Sequence, residues 1–190
     1  MVDVCLPGTG GMLPLVRRYL TCCWIEVMGK AILIDCGEGT QIALSASDCK
    51  TSRLECLLIT HFHADHISGL PGLMLTLGNQ GKTTPLVIAG PKGLGKIVSS
   101  LLVIAQKLPF EIIIKELSFK ECESFDIAGL KVETLPLKHK VACLGYSVTY
   151  AAIDEYILNG NAHSHDAEII RRYHSTSEHK RRMPLYYGEE

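Results

Sequence analysis

Long apolar runs are missing from this sequence, and so is an excess of either charge. Across 190 residues the apolar stretches are broken within about ten residues by Gly, Pro or a charged side chain, too short to cross the roughly 30 Å hydrocarbon core of a bilayer as a helix. The start Met1-Val2-Asp3-Val4 lacks the basic region of a secretory signal. Both absences argue against a membrane partner and lead to the expectation of a cytoplasmic protein. Lys and Arg number 19 against 20 Asp and Glu, a net charge of −1. A nucleic acid, if one is the partner, must then be held by a local patch and not by the field of the whole molecule. Outside the tail the paired arginines are Arg17-Arg18 and Arg171-Arg172, a thin basis for a module that only tracks phosphates. CxxC pairs are absent as well. The eight cysteines, at 5, 22, 23, 36, 49, 56, 122 and 143, fall partly inside apolar segments. They read as reduced, mostly buried thiols and not as a disulfide scaffold. No internal repeat and no low-complexity linker divides the chain.

Apolar residues make up 47% and charged residues 21% of the sequence, an ordinary globular profile. A chain of this length fits one domain that buries roughly 70% of its unfolded surface. Strand-like runs are expected at Val2–Leu6, at Cys22–Met28 and Ala31–Asp35 around a turn at Gly29-Lys30, and at 54–60, Pro85–Ala89, Glu111–Leu117, Ser124–Ile127, Lys131–Leu135 and Gly145–Tyr150. Helices are expected from about Gly37 to Ala46, from Leu70 to Leu77, and after Gly90-Pro91-Lys92-Gly93. In the last of these, Leu94, Ile97, Val98, Leu101, Leu102, Ile104 and Ala105 give one broad buried face. Hairpins followed by strands alternating with helices predict a sheet-rich core covered by helices.

The densest chemistry lies between the strand at 54–60 and the helix at 70. Thr60-His61-Phe62-His63-Ala64-Asp65-His66 places three imidazoles and a carboxylate within six residues. In an extended stretch His61 and His63 point the same way and can grip one metal, and a turn after them lets Asp65 and His66 face a second position. A single histidine is ordinarily a surface or core residue, but four ligand types at this fixed spacing are hard to account for by packing. Pro7-Gly8-Thr9-Gly10-Gly11 permits a tight backbone turn, yet it has no Lys-Ser/Thr and is no phosphate-binding loop by itself. Asp35 precedes a Gly-rich turn, and two roles stand equal for it: an acceptor that orients a ligand histidine, or the cap of the helix near Gly37.

Four features in order resemble the metallo-β-lactamase superfamily and, within it, the ribonuclease Z branch of tRNA 3′-end endonucleases. They are Pro7-Gly8-Thr9-Gly10-Gly11; Asp35-Cys36-Gly37-Glu38-Gly39-Thr40-Gln41; the histidine stretch continued by Ile67-Ser68-Gly69-Leu70-Pro71-Gly72; and His139 followed by Cys143-Leu144-Gly145-Tyr146. HxHxDH alone marks the superfamily, and the DCGEGTQ and GLPG stretches narrow it to the branch. The resemblance implies an α/β fold, the αββα sandwich, over residues 1–150, with residues 151–190 a shortened and divergent segment of the same domain. It also implies one or two Zn2+ ions, with Mn2+ an alternative, and a tRNA precursor as substrate in a homodimeric enzyme. By carry-over His61, His63 and His139 hold the first metal, Asp65 and His66 contribute to the second, and Asp65 orients or deprotonates the attacking water.

Two family features are not recognisable in the sequence: the arm that grips tRNA, and a Gly-Asp-Thr stretch whose aspartate bridges both metals. Tyr173-His174-Ser175-Thr176 resembles the family's HST motif, which makes His174 a second catalytic candidate. A place in a polar tail explains it as well. Asp154, Asp166, His163, His165 or His179 would have to complete the second metal position. Three expectations follow: a ribonuclease Z-type phosphodiesterase with weakened or lost activity, a mononuclear hydrolase of a small ester or phosphodiester, and a catalytically silent metal-binding subunit.

Overall fold

The computed structural model describes residues 2–105 and 107–150. Asp154, His163, His165, Asp166, His174 and His179 lie outside the described residues. Six strands form one sheet in chain order: β1 (Val2–Gly8), β2 (Cys22–Val27), β3 (Lys30–Ile34), β4 (Leu54–Leu58), β5 (Leu86–Pro91) and β6 (Ile112–Leu117). The first three are antiparallel hairpin strands, and β3 to β6 run parallel. That change of direction follows the connections. The tight Met28-Gly29 turn joins β2 to β3 and a longer loop joins β1 to β2, both allowing antiparallel pairing, whereas each parallel step needs a crossover, here carrying α1 (Thr40–Ala46), α3 (Leu70–Asn79) or α4 (Leu94–Leu101). A second sheet holds β7 (Ser124–Ile127), β8 (Leu130–Leu137) and β9 (Cys143–Thr149), all antiparallel.

The large sheet is buried on both faces at β2 to β5, whose strands are apolar at successive positions, while the edge strands β1 and β6 are largely exposed. Cys22, Trp24, Leu33 and Leu57 share one core with Leu44, Leu70, Leu73, Leu77 and Leu94 of the helices. Cys23, Ile25, Ile32, Ile34 and Leu58 point the other way and meet Leu130, Val132, Leu144 and Tyr146 of the second sheet. The adjacent cysteines 22 and 23 therefore belong to opposite cores, as the period of two requires. The described residues thus build helix, sheet and sheet layers of an αββα sandwich, and a helical layer over the second sheet is not among them. No helix among the described residues is long and apolar enough to cross a membrane.

The expected elements are present, with shifts that have local causes; α4 ends at Leu101, where the chain tightens into a 3-10 turn, so Ile104, expected on its buried face, is exposed. The β2–β3 turn is Met28-Gly29, one residue earlier than expected, with φ of 48° and 78°. Ala128-Gly129 turns between β7 and β8 with φ of 57° and 76°. Positive φ at both centres is the turn whose twist matches paired strands. Pro91 ends β5 opposite Leu117 and does not open α4. β9 starts at Cys143 and not at Gly145, because Cys143 and Leu144 pair with Leu137 and Pro136.

Candidate metal centre

The site forms where the parallel strands end. Asp35 follows β3, Thr60 and His61 follow β4, and His139 lies in the β8–β9 loop, so residues from both sheets converge at the carboxyl edge that α/β sheets use for ligands. Leu144 N–H donates to the Thr60 carbonyl (2.9 Å) and the Tyr146 hydroxyl to the Ile59 carbonyl (2.7 Å). These two bonds lock the second sheet onto the strand that carries the histidines.

His61 to His63 is extended, and the chain then makes one helical turn, α2 (Ala64–Ile67). His61 Nε2 lies 3.0 Å from His63 Nδ1, and His139 Nε2 lies 3.4 Å from the same His63 nitrogen. One ring nitrogen from each of the three falls within 4.8 Å of the others. His61 is buried, His63 half-buried and His139 exposed, so the group is open on the His139 side. Burial, then the neighbouring His66, His63 and His139 rings, holds His61 down to about 4, which leaves its imidazole neutral at neutral pH. Three imidazoles with converging nitrogens match a three-histidine catalytic zinc set that keeps one position open. That convergence of donors is the physical test the residues pass.

The helical turn places Asp65 and His66 beside this group. The His66 ring centroid is 4.1 Å from that of His61, and His66 Nε2 is 3.7 Å from Asp65 Oδ2. Burial raises the Asp65 carboxyl, but the Met12 N–H at 2.9 Å and the histidines beside it outweigh this and hold it below the ordinary aspartate value. Met12 belongs to the loop after Pro7-Gly8-Thr9-Gly10-Gly11. That glycine turn therefore serves the site through a main-chain donor, which no side-chain pattern reveals. His61, His63, Asp65, His66 and His139 come together in one site.

Asp35 orients and does not cap. Its Oδ2 accepts from His66 Nδ1 at 2.7 Å, and its Oδ1 accepts the Thr60 N–H at 2.8 Å. The first residue before α1 is Gly39, and no side chain caps that helix. The DCGEGTQ and GLPG stretches meet at the same place: Cys36 N–H donates to the His66 carbonyl (2.8 Å), and Gly69 N–H donates to the Cys36 carbonyl (2.9 Å). A Cβ on Gly69 would stand 1.9 Å from the Gly37 carbonyl oxygen, so this contact admits only glycine. Between the two sheets beside the histidines lies a small cavity lined by Thr60, His61, His66, Leu137, Cys143 and Tyr146, among others. Cys143, whose Sγ is 3.9 Å from His61 Nδ1, has no role assigned by its sequence position.

Comparison with known proteins places this geometry in a family. The family described as anti-Pycsar protein Apyc1 matches residues 2–180. The chain belongs to this family. Among curated proteins, a ribonuclease Z of Agathobacter rectalis is 53% identical over 148 residues, covering 78% of this chain and 48% of the relative. A ribonuclease Z of Lachnospira eligens is 47% identical over 156 residues, covering 82% and 51%. The chain thus spans about half the length of the curated relatives it matches. The crystal structure of the short form of human tRNase Z superposes with a TM-score of 0.70 at 31% identity, over 79% of this chain and 65% of that one. YhfI of Bacillus subtilis, a metallo-β-lactamase fold protein, superposes at 0.64 with 18% identity over 78% and 58%. The fold of this Apyc1-family chain is the metallo-β-lactamase fold, and over most of its length it is similar to proteins named ribonuclease Z.

Proposed function

We propose that this chain is a zinc-dependent phosphodiesterase of the ribonuclease Z type, acting endonucleolytically at the 3′ ends of tRNA precursors in the cytoplasm. The observation that carries the reading is the convergence of His61 Nε2, His63 Nδ1 and His139 Nε2 in a chain 53% identical to a ribonuclease Z. His61, His63 and His139 would hold the first zinc, and Asp65 and His66 contribute to a second. Mn2+ suits the second position, where an oxygen ligand takes part. When bound, the metal supplies a water acidified towards neutral pH and positive charge against the phosphate. The residues of the chain do the rest. The three imidazoles converge on one place, the Met12 N–H keeps the Asp65 carboxylate turned to the site, and Asp65 would orient the water and accept its proton. His174 is a second catalytic candidate near the scissile phosphate, a role that rests on the resemblance of Tyr173-His174-Ser175-Thr176 alone.

Incubation with zinc or manganese and a 3′-extended tRNA precursor tests this. The expected result is metal-dependent cleavage at the 3′ extension, slower than by the Agathobacter rectalis relative and reduced to background in His61→Ala. No cleavage, together with turnover of a non-nucleic ester or thioester, overturns it.

A second reading is favoured by the family match. The family covering residues 2–180 has a name other than ribonuclease Z. On that reading the three histidines serve a mononuclear hydrolase of a small phosphodiester. Turnover of a small phosphodiester with one metal per chain and no tRNA cleavage would select it. A metal-loaded protein inert towards both substrates would instead select the silent subunit.

A further inference from the structure

We propose that Thr60 is a positioning residue that fixes the tautomer of His61 and so decides which nitrogen His61 turns to a metal; the second half of this statement rests on the reading of His61 as a ligand. Thr60 Oγ1 lies 3.0 Å from Asp35 Oδ1, 2.8 Å from Asp35 Oδ2 and 2.9 Å from His61 Nδ1. A hydroxyl has one proton to give. An aspartate carboxylate only accepts, and here it also receives the Thr60 N–H and His66 Nδ1. If the hydroxyl gave its proton to His61, its lone pairs would face both carboxylate oxygens within 3 Å in a buried place with no proton between them, an unsatisfied contact of high cost. The proton therefore goes to Asp35. The 2.9 Å contact to His61 must then run the other way, with Nδ1–H donating to the threonine oxygen. Nδ1 is occupied, and the lone pair of His61 is on Nε2, the nitrogen that faces His63 and belongs to the group of three.

The same carboxylate reaches His66 directly. One oxygen pair, on a buried residue between β3 and α1, thus sets both histidines, one through a hydroxyl and one without. His61 belongs to the three-histidine group and His66 stands beside Asp65, so Asp35 and Thr60 join the two halves of the site. Thr also brings a stiff χ1, since branching at Cβ restricts the rotamer, and this keeps the hydroxyl between its partners.

The tautomer is read in metal-free, 15N-labelled protein by long-range proton–nitrogen correlation of the histidine rings at pH 7.5. In the wild type and in Thr60→Ser, His61 is expected as the Nδ1–H form. In Thr60→Val, which keeps shape but has no hydroxyl, the Nε2–H form is expected to appear. Cobalt(II) affinity followed by absorption is expected to fall 10–100-fold in Thr60→Val, the usual effect of losing a partner of a ligand histidine, and to stay near wild type in Thr60→Ser. An Nε2–H form of His61 in the wild type overturns the proposal, and this measurement needs no variant to fold. Unchanged tautomer and affinity in Thr60→Val overturn it as well. The reading of the site as a metal centre fails separately, by wild-type protein that shows the Nδ1–H form and takes up no cobalt.

Discussion

Asp35 shows how much one side chain can organise. It is buried, its backbone φ is +60°, and it accepts from Thr60 N–H, Thr60 Oγ1 and His66 Nδ1. A non-glycine residue in the left-handed region is uncommon, and Asp is one of the few that tolerate it. Asn tolerates it too, so Asp35→Asn isolates the charge from the backbone effect. The amide must present an N–H where His66 or Thr60 already presents one. The expected loss is about 1.5–3 kcal/mol, the range for hydrogen bonds to a charged group, read by urea unfolding, together with 10–100-fold weaker metal uptake. Unchanged metal uptake would show that the carboxylate does not orient the histidines. None of this could be read from Asp35 alone. The carboxylate meets partners 25 and 31 positions away, so capping and orienting look equal until the strands are placed. The proximity of His61, His63, Asp65 and His66 was legible because their spacing is local. His139 was legible only through its resemblance to the family, since 76 residues separate it from His63.

At the level of elements, the turn α2 and the loop between β1 and β2 do what a linear reading does not show. The His66 N–H donates to the His63 carbonyl at 3.0 Å, so the bend that separates Asp65 and His66 from His61 and His63 is a single helical turn. Its close docking depends on Gly69. In Gly69→Ala the new methyl would meet a backbone carbonyl, not a flexible side-chain end, and the expected destabilisation is about 3 kcal/mol, the upper part of the range for overpacking, measured by thermal or urea unfolding. A variant as stable as wild type would mean that Cys36-Gly37 can move without cost. The β1–β2 loop exposes Met12 at 82%, Leu13 at 71%, Leu15 at 59% and Val16 at 94%, while the Met12 main chain is tied to Asp65. Clustered exposed apolar side chains mark contact surfaces. This supports the homodimer that the family resemblance implies, with a mass of twice 20.9 kDa. Light scattering is expected to find that mass for wild type and the single-chain mass for a Leu13→Lys, Val16→Lys variant. Dimers that persist in the variant would place the interface elsewhere.

Across the whole molecule, two sheets packed face to face carry one site at their common edge, with His61 and His63 on the first and His139 on the loop of the second. A metal held by all three would therefore clamp the layers, and its binding energy would appear as stability of the whole fold. A ligand present at a hundred times its dissociation constant, with no affinity for the unfolded chain, adds about 2.7 kcal/mol. For a chain of this size each kcal/mol raises the melting temperature by roughly 2–4 °C. Zinc added to chelator-treated protein is thus expected to raise Tm by roughly 5–10 °C, and magnesium, which prefers oxygen ligands at near-octahedral geometry, to have little effect. His139→Ala separates clamping from binding within one sheet. It leaves His61 and His63 in place, so a variant that keeps the full zinc shift would show that the second sheet is not tied through the metal. Loss of most of the shift in His139→Ala, with the metal-free Tm unchanged, is the outcome expected of a site that spans both layers.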